Sequence, residues 1–457
     1  MSKPKQLKLA LMPADSEMAR QAQQARERRA RWAWSEAKVW TNQMLRALEE
    51  GVKGGVWFRL IDKVYATANL EAAWKKVQAN NGAAGVDGQS VQAFARHVEH
   101  RLKRLEQELK EERYRPLDVR RHWIPKPGTN EKRPLGIPAV CDRVTQTALR
   151  SVLEPIFERE FAEHSYGFRP GRSCKQALSR VHDLLEQGYT WVVDADLKSY
   201  FDTIPHEQLM ARVRERVADG RVLQLIETFL KANVMDGLKR WEPEAGAPQG
   251  AVISPLLSNI YLNPLDHLMA QAGYEMVRYA DDFVVLCRSE EEARQALERV
   301  KEWTAQAGLT LHPEKTRIIS VTEGPTWAAE GFDFLGFHLT RGGRTPRAKS
   351  LKKIRDTIRQ RTPRSNGHCL TAIITTLNRS LHGWFNYFRA SEARPFRDLD
   401  RMTRRRLRAI LSKRAKKKGP GMGWANMRWP NAFFKKHGLL SLLERHAEYR
   451  QSLRGTR

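Results

Sequence analysis

Cysteine is scarce in this chain, four in 457 residues, and Cys141, Cys174, Cys287 and Cys369 lie far apart with no C-x-x-C pair. Neither a zinc module nor a disulfide framework is expected, and the usage fits a reducing cytoplasm. Long apolar runs are missing as well: none approaches the roughly 20 residues that span a bilayer, and no signal-type apolar segment opens the chain. A soluble protein with no membrane partner is the expectation. Acid is in deficit, 52 Asp and Glu against 80 Lys and Arg, a formal net charge of +28. An excess of that size favours a polyanionic partner, because neutralising phosphates releases counterions. Charge alone also fits a merely basic surface, so the order of motifs has to decide. With 41% hydrophobic residues, a chain of this length buries more than one core and suggests roughly two to four domains.

What is present is more specific. Tyr279-Ala280-Asp281-Asp282 sets two adjacent acids between segments that read as strands, Glu275 to Arg278 and Phe283 to Cys287. Val277, Phe283, Val284, Val285 and Leu286 are β-formers, and Asp favours the turn between them. An isolated Asp-Asp is ordinarily a solvated turn. A second acidic strand end argues otherwise: Trp191, Val192 and Val193 supply a buried strand, and Asp194 and Asp196 follow on one face by the two-residue alternation. Two acidic strand ends brought together converge hard oxygen ligands of the kind that hold Mg²⁺ for in-line phosphoryl transfer. This is the carboxylate arrangement of a nucleic-acid polymerase palm.

Further motifs follow in order. They are Asn80 to Gly88, Ile124-Pro-Lys-Pro-Gly128 with Lys132 to Pro138, His164 to Ser173, the Asp196 segment, and Ala247-Pro-Gln-Gly250 running on to Leu262. Then come the Tyr-Ala-Asp-Asp turn, Gly308-Leu-Thr-Leu with Lys315-Thr316, and Phe334-Leu-Gly-Phe337. This ordered set resembles the reverse transcriptases encoded by bacterial group II introns, collinearly over most of the chain. The resemblance implies an α+β right-hand polymerase, with fingers and palm of antiparallel sheet plus helices and a helical thumb. It places a basic helical extension at 1–55, fingers at 56–190, palm at 191–340, a thumb or maturase domain at 341–423 and a small DNA-binding region at 424–457.

The same resemblance assigns roles. Asp196, five residues before Phe201, and Asp281 are implied to bind two Mg²⁺ ions, with the carbonyl of Leu197 as a further ligand and Asp282 as a third carboxylate; Asp194 and Asp202 are left structural. Residues 120–138 read as a β-hairpin whose tip exposes cations. Lys126 and Arg133 are chosen there to neutralise the nucleotide's phosphates, with Lys132 competing for the role. Phe201 is implied to lie under the incoming sugar and to exclude a 2′-hydroxyl. Gln249 sits in the Pro-Gln-Gly turn at the same pocket, where Gly250 lets backbone come close.

Elsewhere the readings are plainer. A long charged helix is expected from a cap at Asp15 or Ser16 to about Gly51, its basic stretch Arg26 to Arg31 either contacting RNA or solvated. Val91, Val98, Leu102, Leu105 and Leu109 recur at helical spacing, as core. Leu377, Leu381, Trp384, Phe385 and Phe388 form one apolar helix face, again core before base-stacking surface; the segment also resembles the maturase region. Arg397 to Lys418 carries eleven Lys and Arg, ahead of a Gly/Pro-rich break at Gly419 to Gly423. No Cys-paired His-Asn-His nuclease module is recognised.

The expectation is therefore an endonuclease-lacking reverse transcriptase and maturase in the bacterial cytoplasm. Its partners would be a structured intron RNA, an RNA or DNA template with a DNA primer, dNTPs and target DNA. Two alternatives stay open: a reverse transcriptase recruited to spacer acquisition or phage defence, and an RNA-binding splicing factor with an idle palm.

Overall fold

The computed structural model describes residues 13–125, 132–324, 326, 329–416 and 422–454. Eleven strands are found among them: β1 (Val119–Pro125), β2 (Lys132–Ile137), β3 (Trp191–Asp196), β4 (Val234–Asp236), β5 (Lys239–Trp241), β6 (Glu275–Tyr279), β7 (Asp282–Cys287), β8 (Arg317–Ser320), β9 (Phe332–Phe334), β10 (Phe337–Thr340) and β11 (Gly343–Pro346). The chain divides into two compact units, each assembled from separated segments. The first comprises Met1–Ser173, Asp196–Asp281 and Glu298–Pro313; the second comprises Cys174–Ala195, Asp282–Leu297 and Glu314–Arg457.

In the first unit, the N-terminal segment is two helices where one was expected. Pro13–Arg31 ends at a turn, and Asn42–Glu50 starts afresh with the Thr41 side chain accepting from the Met44 N–H. Asp15 and Ser16 lie inside the first helix rather than capping it. The break exists because Trp40 is fully buried and its indole N–H donates to Ser151 O at 3.0 Å. That carbonyl is free because Pro155, four residues on in the Val140–Glu158 helix, has no N–H to offer it. Part of the basic stretch is likewise spent internally. Arg28 and Arg31 pair with Glu49, and Arg29 donates to the carbonyls of Trp40 and Ser35.

Val140–Glu158 is buried over most of its length, so its polar residues need partners. Gln146 accepts from the Val252 N–H at 2.8 Å, and the Asn69 amide reaches Ala148 O at 3.0 Å. The expected hairpin is present. β1 and β2 pair antiparallel from Arg120↔Ile137 to Pro125↔Lys132, and the sheet continues in the order β2-β1-β4-β5, with β4 parallel to β1 through Val119↔Val234. Its tip, residues 126–131, lies outside the described residues, and Lys126 with it. Ser254–Gln271 is apolar nearly all round and runs through the interior.

In the second unit, β7, β3 and β8 are hydrogen-bonded in that order, with Trp191↔Ser320 to Asp194↔Arg317 setting the β3–β8 register. β7 is buried from Phe283 to Cys287 and so reads as an unbroken apolar run rather than an alternation. β9, β10 and β11 form an antiparallel meander. From Ala348 onward the described chain is helical. Of the expected stripe on the Leu370–Phe388 helix, Leu377, Leu381 and Phe385 are buried in one cluster with Ile373 and with Phe396, Leu399, Leu407 and Ile410 of Ala393–Arg414, and Trp384 packs partly buried against it. Truncating one of these leucines to alanine should cost about 2–5 kcal/mol. Among the described residues no helix is long and apolar enough to cross a membrane. Part of the expected Gly/Pro break, residues 417–421, lies outside them.

Candidate active site

β6 and β7 are joined by two residues only, Ala280 and Asp281, and Ala280 sits at φ +62, a left-handed conformation uncommon for a side chain. The first unit over-determines it. Arg278, fully buried, donates from Nε to the Asp266 carboxylate at 2.8 and 3.0 Å, and from Nη1 to Asn259 Oδ1 and to Ala280 O, both at 2.9 Å. Its backbone N–H donates to His164 O, and its carbonyl accepts from the Tyr166 N–H. Asn259 in turn donates to Gly167 O at 2.8 Å. Gly167 is pressed so closely on the turn that a Cβ there would lie 2.1 Å from Ala280 N. The His164 to Ser173 motif thus acts as a brace for the turn.

Asp281 is held in this brace. Burial pushes its carboxyl above the ordinary aspartate range; a backbone hydrogen bond opposes that, the Asp196 carboxylate adds to it, and Arg133 and Arg278 pull it down. Asp196, Asp281 and Arg133 are therefore electrostatic neighbours. The strand end bearing Asp196 is clamped by the Gly308 motif: Asp196 O accepts from the His312 N–H at 2.7 Å, the Lys198 N–H donates to Thr310 O at 2.8 Å, and Leu197, buried, bridges Leu311.

Phe201 and Gln249 meet at a second feature, a cavity of about 650 Å³ lined by Phe201, Asp202, Gly246 to Gln249 and one face of the β2-β1-β4-β5 sheet. Two close backbone approaches shape it. Gly136 N–H donates to Gln249 O at 2.6 Å, and a Cβ on Gly250 (φ +103) would fall 2.4 Å from Gly136 O. Ala247 N–H donates to Phe201 O at 2.7 Å, with Gly246 packed beneath at φ +95. Tyr200, beside Phe201, is buried and donates its hydroxyl to Ser258 O.

The remaining candidates are placed differently. Asp282 is the first residue of β7 and belongs to the second unit. Asp194 faces Arg317 across the β3–β8 ladder at 3.5 Å. Lys132 and Arg133 are both exposed on β2. Among the described residues, no three His, Cys, Asp or Glu side chains form a ready-made metal cage. The Asp196–Asp281 pair nevertheless suits a divalent cation: the Asp196 carboxylate adds to the cost of ionising Asp281, and a cation held between these hard oxygens would relieve it.

Several residues escaped the sequence reading. Arg278, Asp266 and Asn259 build the brace. Asp202 stands at the cavity, where partial desolvation raises its carboxyl and Arg121 lowers it. The Arg121 guanidinium lies over the Trp123 and Trp241 rings, at 5.4 and 4.6 Å from their centroids. Alternation along β1, which sets residues 119, 121 and 123 on one face, was the available signal for Arg121.

Acids at a strand end and at a tight turn, a basic hairpin and a helical C-terminal region have the build of a template-directed polymerase. Residues 124–339 match the reverse transcriptase (RNA-dependent DNA polymerase) family, and residues 351–429 match the group II intron, maturase-specific domain. Protein YkfC of Escherichia coli K12 is 36% identical over 330 residues, 64% of this chain and 84% of that protein. The group II intron-encoded protein LtrA of Lactococcus lactis is 38% identical over 201 residues, 44% of this chain and 33% of LtrA, so the match spans about a third of that relative. A solved telomerase structure from Candida albicans aligns at a TM-score of 0.40 and 12% identity, covering 69% of this chain and 63% of that one. The chain belongs to the group II intron-encoded reverse transcriptase/maturase family. It is by that membership an RNA-directed DNA polymerase.

Proposed function

We propose that Asp196 and Asp281 are the paired acids of nucleotidyl transfer in this reverse transcriptase, and that the enzyme serves a group II intron by binding its structured RNA, assisting its splicing and copying it into DNA. The observation that carries the reading is the partly buried Asp281 carboxyl, pushed up by desolvation and by the Asp196 carboxylate and drawn down by Arg133. With Asp282 as a third carboxylate and the Leu197 carbonyl beside Asp196, the donors are all hard oxygens, as Mg²⁺ prefers. Two such ions, when bound, would lower the charge barrier at the attacking and leaving oxygens.

The chain's own groups do the rest. Arg133, with Lys126, neutralises the departing phosphates and orients the nucleotide. Phe201 closes the sugar side of the pocket against a 2′-hydroxyl, and Gln249 contacts the nucleotide from a turn locked to Gly136. Substrates would be dNTPs, an RNA or DNA template with a DNA primer and, during retromobility, target DNA, all met in the bacterial cytoplasm.

Primer extension on an RNA template with Mg²⁺ and dNTPs tests the assignment. Asp281→Asn keeps the size of the side chain and removes a ligand charge, and several kcal/mol of lost charge stabilisation amount to roughly a thousandfold in rate. A folded variant that extends primers as well as the parent would overturn it. No extension by well-folded, RNA-binding parent protein would point to a splicing cofactor instead.

A further inference from the structure

Tyr200–Thr203 is a single helical turn, four residues long, entered from Ser199 at φ +50 and ψ 37. A turn that short is not stable on its own hydrogen bonds, so its aim is set by what holds it from outside. The Ala247 N–H donates to Phe201 O at 2.7 Å, and a Cβ on Gly246 would lie 2.8 Å from the same oxygen. A side chain adds a further tie: Tyr200, 2% exposed, donates its hydroxyl to Ser258 O at 2.7 Å. Its ring meets the Phe201 ring edge-on, with centroids 5.5 Å apart and planes at 67°. Burial pushes the hydroxyl well above the ordinary tyrosine range, so it remains a donor near neutral pH.

The acceptor matters as much as the donor. Ser258 belongs to the Ser254–Gln271 helix, and the next residue, Asn259, is the one that accepts from Arg278 at 2.9 Å and donates to Gly167 O at 2.8 Å. One turn earlier, the Ser254 hydroxyl donates to Pro248 O at 2.9 Å, in the turn that carries Gln249. The Phe201 turn, the Pro-Gln-Gly turn and the Asp281 turn are thus attached to one buried helix, within roughly 8 Å of its axis at 1.5 Å per residue. A well-packed helix moves as a unit, so it serves as a common reference for all three.

We infer that Tyr200 is a positioning residue for sugar discrimination: through Ser258 it indexes the Phe201 ring to the turn that carries Asp281. A gate that tells deoxyribose from ribose must sense one oxygen atom, and a ring displaced by about 1 Å loses that sense. The acids place the α-phosphate, so the ring discriminates only when its position is fixed relative to them. The hydroxyl is the part of Tyr200 that supplies the fix. Ring packing tolerates sliding along a helix, whereas a hydrogen bond to one carbonyl is directional and selects one position. The inference rests on the reading of Phe201 as the group that closes the pocket against a 2′-hydroxyl, and extends it to the residue that sets where that ring stands.

The test measures kcat/KM for single-nucleotide extension on an RNA template with a dNTP and with the matching rNTP, using the full chain, and takes their ratio. Tyr200→Phe keeps the ring and removes the hydroxyl. The preference for the deoxynucleotide should fall about tenfold, the loss expected when a hydrogen bond that fixes a group is removed. Because the ratio is internal, a partly unfolded sample lowers both rates together and leaves it unmoved. Phe201→Ala should lower the preference further. Adding Tyr200→Phe to Phe201→Ala should then change the ratio by less than about twofold, since a residue that acts through Phe201 has nothing left to position. An unchanged preference in Tyr200→Phe overturns the inference, as does an equal tenfold effect with and without Phe201. If Phe201→Ala leaves the preference intact, the gate assignment falls and this inference with it. If Phe201→Ala relaxes it and Tyr200→Phe does not, the gate stands and the positioning role alone falls.

Discussion

Arg278 and Arg401 are the same side chain put to opposite uses. Arg278 is fully buried, paired with Asp266, hydrogen-bonded to Asn259 and to the carbonyl of Ala280. Arg401 is exposed on a cleft and makes no hydrogen bond or ion pair among the described residues. Burying a guanidinium is costly unless every donor is satisfied, and once they are satisfied the group can move only if several bonds break together. Arg278 thereby converts desolvation cost into a fixed geometry for the turn that carries Asp281. A cation left unpaired in water keeps its field available to a ligand.

The contrast breaks most visibly at Arg278. Arg278→Met leaves the Asp266 carboxylate buried without its cation, and chemical denaturation should register a loss of about 3–5 kcal/mol. Adding Asp266→Leu removes the stranded charge and should recover much of that stability. Primer extension by the double variant should stay depressed, because Ala280 O still lacks its donor. Full recovery of both properties would reduce Arg278 to an ordinary packing residue.

The turn itself was legible. Strand-forming residues flank a polar pair, and the ordered motifs on either side single it out among the chain's acids. The brace was not, because periodicity scores an arginine in mid-strand as surface, and nothing local ties Arg278 to Asp266 or to Asn259. The break between the first two helices was hidden for a similar reason: it depends on Trp40 finding a carbonyl, Ser151 O, more than a hundred residues away. β4 and β5 are three residues each, too short for an alternation to declare them, and their place beside β1 is set by parallel pairing at long range. Asp202 was assigned a structural role from its motif position, yet it stands on the cavity that Phe201 and Gln249 share. What local chemistry encodes was readable, and what long-range pairing encodes was not.

Asp142 sharpens the comparison from the acid side. It is buried like Asp266 but has hydrogen bonds in place of a cation, accepting from the Tyr114 hydroxyl at 2.6 Å and from the Leu117 N–H at 3.1 Å. Burial wins over those bonds and lifts its carboxyl from 3.8 to about 6. The folded state therefore keeps a proton that the unfolded chain releases, and the associated stability, about 3 kcal/mol at most, is present below pH 4 and lost as pH rises to about 6. Asp142→Asn should flatten that part of the profile at the expense of one acceptor. Parallel curves of thermal midpoint against pH for the two proteins would show that Asp142 titrates normally.

The smallest expected effect is also the most discriminating. If Arg401 and Arg405 stabilise nothing within the fold, replacing both by glutamine should move the unfolding free energy by no more than about 0.5 kcal/mol in either direction, as for surface positions generally. A modest gain is physically reasonable, since the substitution reduces the positive charge shared with Arg355 and Arg364, which line the same cleft. A loss of several kcal/mol would place these side chains in the same category as Arg278, committed to holding the protein together. Little change in stability would mean that neither side chain is committed to holding the fold together.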